Sequence, residues 1–247
     1  MKGVEIRLQV QYRARVDESI EACHARFTAG MQQFGPPFGW QDLEPPPAPY
    51  IKPASGDMIG VEWFRYPIKG LKLQITAQHR HELSIGTDKD TSDDRLSIEF
   101  KTSNKALDYR AILREHFPKL IEAYRGYRAW AVFDYYGGRY TDWNWGPWLG
   151  REATNPSYQR LCKEPGVDID GRNNIFTLEP AVFWDNELCR RALGYGPEEV
   201  MRRLQGHALS VQPLLDGVYV VFDDDPALTY ERFLEINKQF KELLGIA

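Results

Sequence analysis

The feature that most constrains this chain is a strict two-residue alternation near its start. From Val4 to Val16 the even positions carry Val4, Ile6, Leu8, Val10, Tyr12, Ala14 and Val16. The odd ones carry Glu5, Arg7, Gln9, Gln11, Arg13 and Arg15. Successive side chains of an extended backbone point to opposite faces, so this run predicts a strand with one buried and one wet face. The pattern returns from Leu71 to Ile85 and again from Arg95 to Lys101 through Leu96, Ile98 and Phe100. Strands buried on one side only belong to antiparallel sheets, whose apolar face has to be covered by another layer.

The covering layer is also visible. Ile20, Cys23, Phe27 and Met31 lie at helical spacing after Asp17, which the sequence places at the N-cap. Leu107 to Tyr124 is a second helical stretch, in which Pro118 removes an interior hydrogen bond and predicts a kink or restart. Asn186 to Leu193 and Pro197 to Leu204 read as short helices. The final helix is the best specified, with Thr229 as cap and Leu228 and Phe233 placed as a hydrophobic staple. Between these lie further strands: Ala129 to Tyr136, followed by a Gly137-Gly138 turn and a returning arm over Arg139 to Trp143, then Ile175 to Trp184. Ala208 to Leu215 and Val218 to Phe222 pair around Asp216-Gly217, with Pro213 assigning the first arm to an edge. The proline-rich stretch 35–55 reads as a surface loop and the acidic run Asp88 to Asp94 as a hairpin tip. The expectation is an α+β fold, mainly an antiparallel sheet with helices packed on it, forming a single unit over residues 1–247.

Composition narrows the function classes. Thirty-one basic against 35 acidic residues give a net charge of −4, which provides no general field for a nucleic-acid backbone. No window approaches the roughly 20 apolar residues of a membrane span, and no signal peptide is visible. Cys23, Cys162 and Cys189 are an odd number without CxxC spacing, which argues against a disulfide framework or structural zinc. A cytoplasmic protein with no nucleic-acid or membrane partner is expected.

Catalytic signals are weak. His79 and His81, two apart on a strand, share a face and could hold an ion, with Glu82 or Asp90 as an acidic partner in a metal-dependent hydrolase. Both also end an apolar stripe, where a histidine is more often structural, and Glu82 points away from them. Asp168 to Asn174 with Glu179 resembles a calcium loop, but Arg172 stands where an oxygen ligand is needed and Asn173 where glycine is needed, so an Asx turn is the better reading. Asp223-Asp224-Asp225 precedes the last helix and reads as a cap. Phosphate-loop, nucleophile-elbow and HExxH patterns are lacking, so the expectation is a protein without enzymatic activity or cofactor.

Binding has stronger signals. Trp143, Trp145 and Trp148 cluster beside Tyr136 and Arg139, the residue types that anchor interfaces. Equally, the three indoles could roof the core. Asp88, Asp90, Asp93 and Asp94 form an acidic patch that could face a basic partner such as a nucleic-acid-binding protein.

The segment Tyr127 to Gly138, the Trp143 to Trp148 stretch and the closing Val218 to Asp224 resemble the immunity protein fifty-two family of bacterial polymorphic toxin systems. The resemblance covers mainly residues 100 to 247. It implies a small cytoplasmic antitoxin that binds a cognate nuclease toxin with a restriction-endonuclease-like domain, including effectors of type VI secretion. It assigns no individual binding residue.

Overall fold

A computed structural model of the chain describes residues 3–44, 50–53, 58–64, 74–80, 93–145 and 170–246, with the backbone alone at 50–53, 58–64, 74–80 and 141–145. Among the described residues nine strands form one sheet. They are β1 (Glu5–Arg13), β2 (Tyr50–Pro53), β3 (Met58–Phe64), β4 (Gln74–Arg80), β5 (Asp93–Lys101), β6 (Arg128–Phe133), β7 (Ala181–Trp184), β8 (Ser210–Leu214) and β9 (Gly217–Val221). Their order is β2-β3-β4-β5-β1-β6-β7-β9-β8, and every neighbouring pair is antiparallel. The α+β architecture read from the alternation is therefore present, with the first strand at the centre.

Register turns the alternation into two faces. Leu8 opposes Ile98 on one side and Ala131 on the other, and Val10 opposes Leu96 and Ala129, so these rows are apolar. Helix α1 (Ile20–Met31), the run α2 (Tyr109–Ala111), a π-helical turn at Ile112–His116 and α3 (Phe117–Tyr124) cover this face. Phe27, Ile112, Leu113, Phe117 and Ile121 are buried against it. Pro118 stands in the first turn of α3, directly after the π turn, where its missing N–H interrupts the hydrogen-bond ladder of the continuous run. Ser19, rather than Asp17, caps α1 by accepting from the Ala22 amide.

Helices α5 (Asn186–Leu193), α6 (Pro197–Leu204) and α7 (Tyr230–Leu244) gather at the β7–β9 end of the sheet. All five residues of β9 are buried, so both of its faces are covered. Tyr219 donates to the Leu113 carbonyl on the first face, and α5 and α6 contact the strand from the other. Thr229 caps α7 as expected, with Leu228 and Phe233 both buried. Pro213 lies on β8, the edge strand, where a missing donor is tolerated.

Three expectations are corrected. The residues after β6 do not return as a hairpin: Asp134 and Tyr135 adopt positive φ, and Tyr136–Trp145 forms helix α4. Two successive left-handed residues reverse the chain steeply enough to start a helix where the double glycine suggested a turn. The start of the proline-rich stretch is core, not surface: Phe38 and Trp40 are each 0% exposed, with Trp40 edge-on to Phe27. The stretch Ile175 to Trp184 is strand only from Ala181.

Candidate functional site: an arginine-lined cavity on the open sheet face

The second face carries the odd residues of β1. Because α5 to α7 cover it only at the β7–β9 end, the part over β5, β1 and β6 is left to other elements. Register arranges its residues in rows. Gln11 is opposed by Arg95 on β5 and by Arg128 on β6, and Arg128 in turn by Trp184. The next row is Ser97, Gln9, Trp130 and Val182, and the one after is Glu99, Arg7 and Val132. Neighbouring strands lie about 4.8 Å apart, so Arg95 and Arg128 flank Gln11 across roughly 10 Å.

The segment 170–179 forms a wall over these rows. Asp170 Oδ1 accepts from the Arg172 backbone amide at 2.8 Å, an Asx turn as the sequence suggested, and Asn174 Nδ2 donates to the Asp170 carbonyl at 2.9 Å. Arg128 donates to the Gly171 carbonyl at 2.9 Å, tying the wall to β6. Farther along, the buried Asn237 of α7 accepts from the Leu178 amide and donates to the Leu178 carbonyl, both at 2.9 Å. Lys241 donates to the Phe176 carbonyl at 2.6 Å and to the Tyr140 hydroxyl at 2.9 Å, and burial pulls its pKa down to about 8.

A cavity of about 350 Å³ remains between wall and sheet, lined by Arg7, Arg95, Arg128, Trp130, Val132 and Glu179 among others. Its volume is within the range of small-molecule sites. Glu179 is 6% exposed, and its Oε2 has no hydrogen-bond partner. Burial pushes its carboxyl up to about 8, so at neutral pH it is a protonated, uncharged acid. Gly137, in the first turn of α4, lies so close to that carboxyl that a Cβ there would overlap it. Among the described lining residues the arginines therefore dominate the charge. Arg7 is paired with Glu99 at 2.7 Å, Arg128 lies 5.0 Å from the Trp130 ring, and Arg95 Nε is buried without a hydrogen-bond partner. Tyr135, at φ 59° and beside Gly138, completes the rim.

The expected binding residues are dispersed. Asp93 belongs to β5, not to a hairpin tip, and is 0% exposed. It accepts from Arg172 Nη2 at 2.5 Å and from the Tyr127 hydroxyl. Asp94 is buried beside it. Both are buried because the strand continues through them, and the first is turned inward onto an arginine. Asp88 and Asp90 lie outside the described residues. Tyr136 is also buried, its ring against Phe133, Tyr230 and Phe233 and its hydroxyl donating to the Leu228 carbonyl at 3.2 Å. Arg139 is exposed, its guanidinium 3.9 Å from the centre of the Tyr230 ring. Trp143 and Trp145 fall in the last turn of α4, while Trp148 lies outside the described residues. His79 is a residue of β4 opposite Gly60, whereas His81 and Glu82 are outside the described residues. Asp224 pairs with Arg114 at 2.6 Å and Asp223 with Arg232 at 3.5 Å, so the acidic triplet is engaged structurally. Among the described residues no group of three histidine, cysteine or acidic side chains could hold a metal ion. None of their helices is long and apolar enough to cross a membrane.

The floor of the cavity is the polar face of the β1 alternation. The odd residues of β1 were visible as a polar face, but the row joining Arg95, Gln11 and Arg128 comes from three distant segments.

No family model matches the chain, and no curated protein matches it. Among solved structures it is similar to a Pseudomonas aeruginosa T6SS protein, PA0821, at 12% identity and a TM-score of 0.51. The likeness spans 97% of this chain and 73% of that one, and it shows the fold.

Proposed function

We propose that this chain is an immunity protein that binds and silences a cognate nuclease toxin of a type VI secretion system, protecting the producing cell and its sisters. The observation that carries this reading is the fold likeness to a T6SS protein along 97% of the chain. Support comes also from the resemblance of Tyr127 to Gly138 and Val218 to Asp224 to the immunity protein fifty-two family. On this reading the protein acts by binding, not by catalysis, in the cytoplasm where the toxin would attack. The exposed Arg139 stacked on Tyr230, beside the tryptophans of α4, is the best placed described group for such a contact.

The test is co-expression with the toxin candidate encoded beside it, followed by pull-down and a nuclease protection assay with the purified pair. The expected result is a stable complex, suppressed cleavage and rescued growth. Adding increasing DNA to the complex separates the two ways of silencing: competition means that the protein occupies the toxin's nucleic-acid groove, and indifference means that it binds elsewhere. A toxin neither bound nor silenced overturns the reading.

A further inference from the structure

Three observations converge on the cavity between the open sheet face and the wall 170–179. The first is charge: Arg95 and Arg128 flank Gln11 in one cross-strand row, and Arg7 stands two residues along β1 from Gln9. In a chain of net charge −4 this concentration is local and not a consequence of composition. The second is unspent hydrogen-bonding capacity. Arg95 Nε and Glu179 Oε2 are both buried without a hydrogen-bond partner, and so is the hydroxyl of Thr177 on the same wall. Buried polar atoms are nearly always paired, so three in one cavity mark the place where a ligand's acceptors belong. The third is shape, because Trp130, Val132 and Val182 give the cavity an apolar side next to the arginines.

We propose that this cavity binds a small organic anion bearing a carboxylate or phosphate, its charged group held by Arg95 and Arg128 and its apolar body against Trp130 and Val132. Arginine donates in a planar fork that matches both headgroups, and the row spacing lets two guanidiniums approach one anion from opposite sides. Glu179 does not repel the anion, because burial keeps its carboxyl protonated at neutral pH, when it can donate. The rim at Asp134 and Tyr135 holds two non-glycine residues at positive φ, a conformation that costs free energy and recurs at ligand clamps. The proposal rests on the cavity alone and does not depend on the proposed toxin binding.

The probes are benzoate, phenyl phosphate and the uncharged benzamide, titrated calorimetrically against the full-length protein at pH 7. Binding of at least one of the two anions is expected, with benzamide weaker by about tenfold or more. Benzoate and phenyl phosphate together distinguish a carboxylate from a phosphate site. In Arg95→Gln the anion affinity should fall about tenfold while the far-ultraviolet circular dichroism stays unchanged. Val132→Trp, which fills the apolar side and leaves Arg95 and Arg128 in place, should block the same probe. No binding of either anion up to about 10 mM overturns the proposal, as does binding that ignores both substitutions. Equal binding of benzamide also overturns it, since the cavity would then be apolar in its preference.

Discussion

Arg172 reaches from the wall segment to Asp93 on β5, its Nε at 2.9 Å and its Nη2 at 2.5 Å from the same carboxylate oxygen. Arg172 is 5% exposed and Asp93 0%, and the Tyr127 hydroxyl donates to the other carboxylate oxygen. Seventy-nine residues apart in sequence, these two side chains dock the 170–179 wall onto the sheet. Removing one partner strands a buried charge, so Arg172→Met should cost about 3–5 kcal/mol in urea unfolding. Adding Asp93→Leu to it should recover part of that loss; a double variant as destabilised as the sum of the singles would show that the pair is not a unit.

Asn237 tests the other end of the wall. Its side-chain amide replaces a strand partner for Leu178, accepting from its N–H and donating to its carbonyl, and it also donates to Phe233 at 3.1 Å. Asn237→Ala should cost about 2–3 kcal/mol by leaving a buried backbone amide unpaired. It should also raise hydrogen exchange at Leu178 selectively. Unchanged protection there would mean that Asn237 does not hold Leu178 in place.

Glu179 makes stability depend on pH. Its carboxyl titrates at about 8 in the folded protein against 4.5 in the unfolded chain. Between those values the native state holds a proton that the unfolded state has released. The contribution is thus complete below about 4.5 and is lost as pH rises through about 8. Glu179→Gln keeps the neutral form at every pH. The difference in unfolding free energy between the two proteins should swing toward the variant from pH 5 to pH 9, and a flat difference would show that Glu179 is ionised in the native state.

Two glycines separate close approach from backbone strain. A Cβ at Gly137 would overlap the Glu179 carboxyl, so Gly137→Ala should destabilise by about 2 kcal/mol and disturb the cavity rim. Gly194 ends α5 at φ 79° with nothing within 4 Å, so Gly194→Ala should cost about 1 kcal/mol, from the left-handed backbone alone. Comparing the melting temperature of Gly137→Ala with that of Gly137→Ala/Glu179→Ala checks the distinction, since only the first clash has a partner that can be removed.

The tryptophans at the end of α4 bear on the proposed toxin contact. Trp145→Ala should weaken toxin binding by about 2 kcal/mol with the fold intact, as an interface anchor does. A variant that fails to fold, or one that binds normally, would remove Trp145 from the interface.

What the sequence determined by itself was periodicity and its local punctuation. The alternation over Val4 to Val16 is a property of neighbouring residues, so it specified β1 and its two faces, and the β8–β9 turn and the Thr229 cap were legible for the same reason. The failures came where distant contacts override local preference. Gly137-Gly138 reads as a turn, but the left-handed pair Asp134 and Tyr135 and the close approach of Glu179 make it the first turn of a helix. Trp40 sits in a proline-rich stretch yet is buried, because Phe27 of α1 offers it a surface. Asp93 has the composition of a hairpin tip and is instead the partner of an arginine that spoiled a calcium-loop pattern. The cavity belongs wholly to this second class. Its arginine row exists only because antiparallel register brings β5, β1 and β6 side by side, a pairing that no single segment encodes and that burial of the opposite, apolar face enforces.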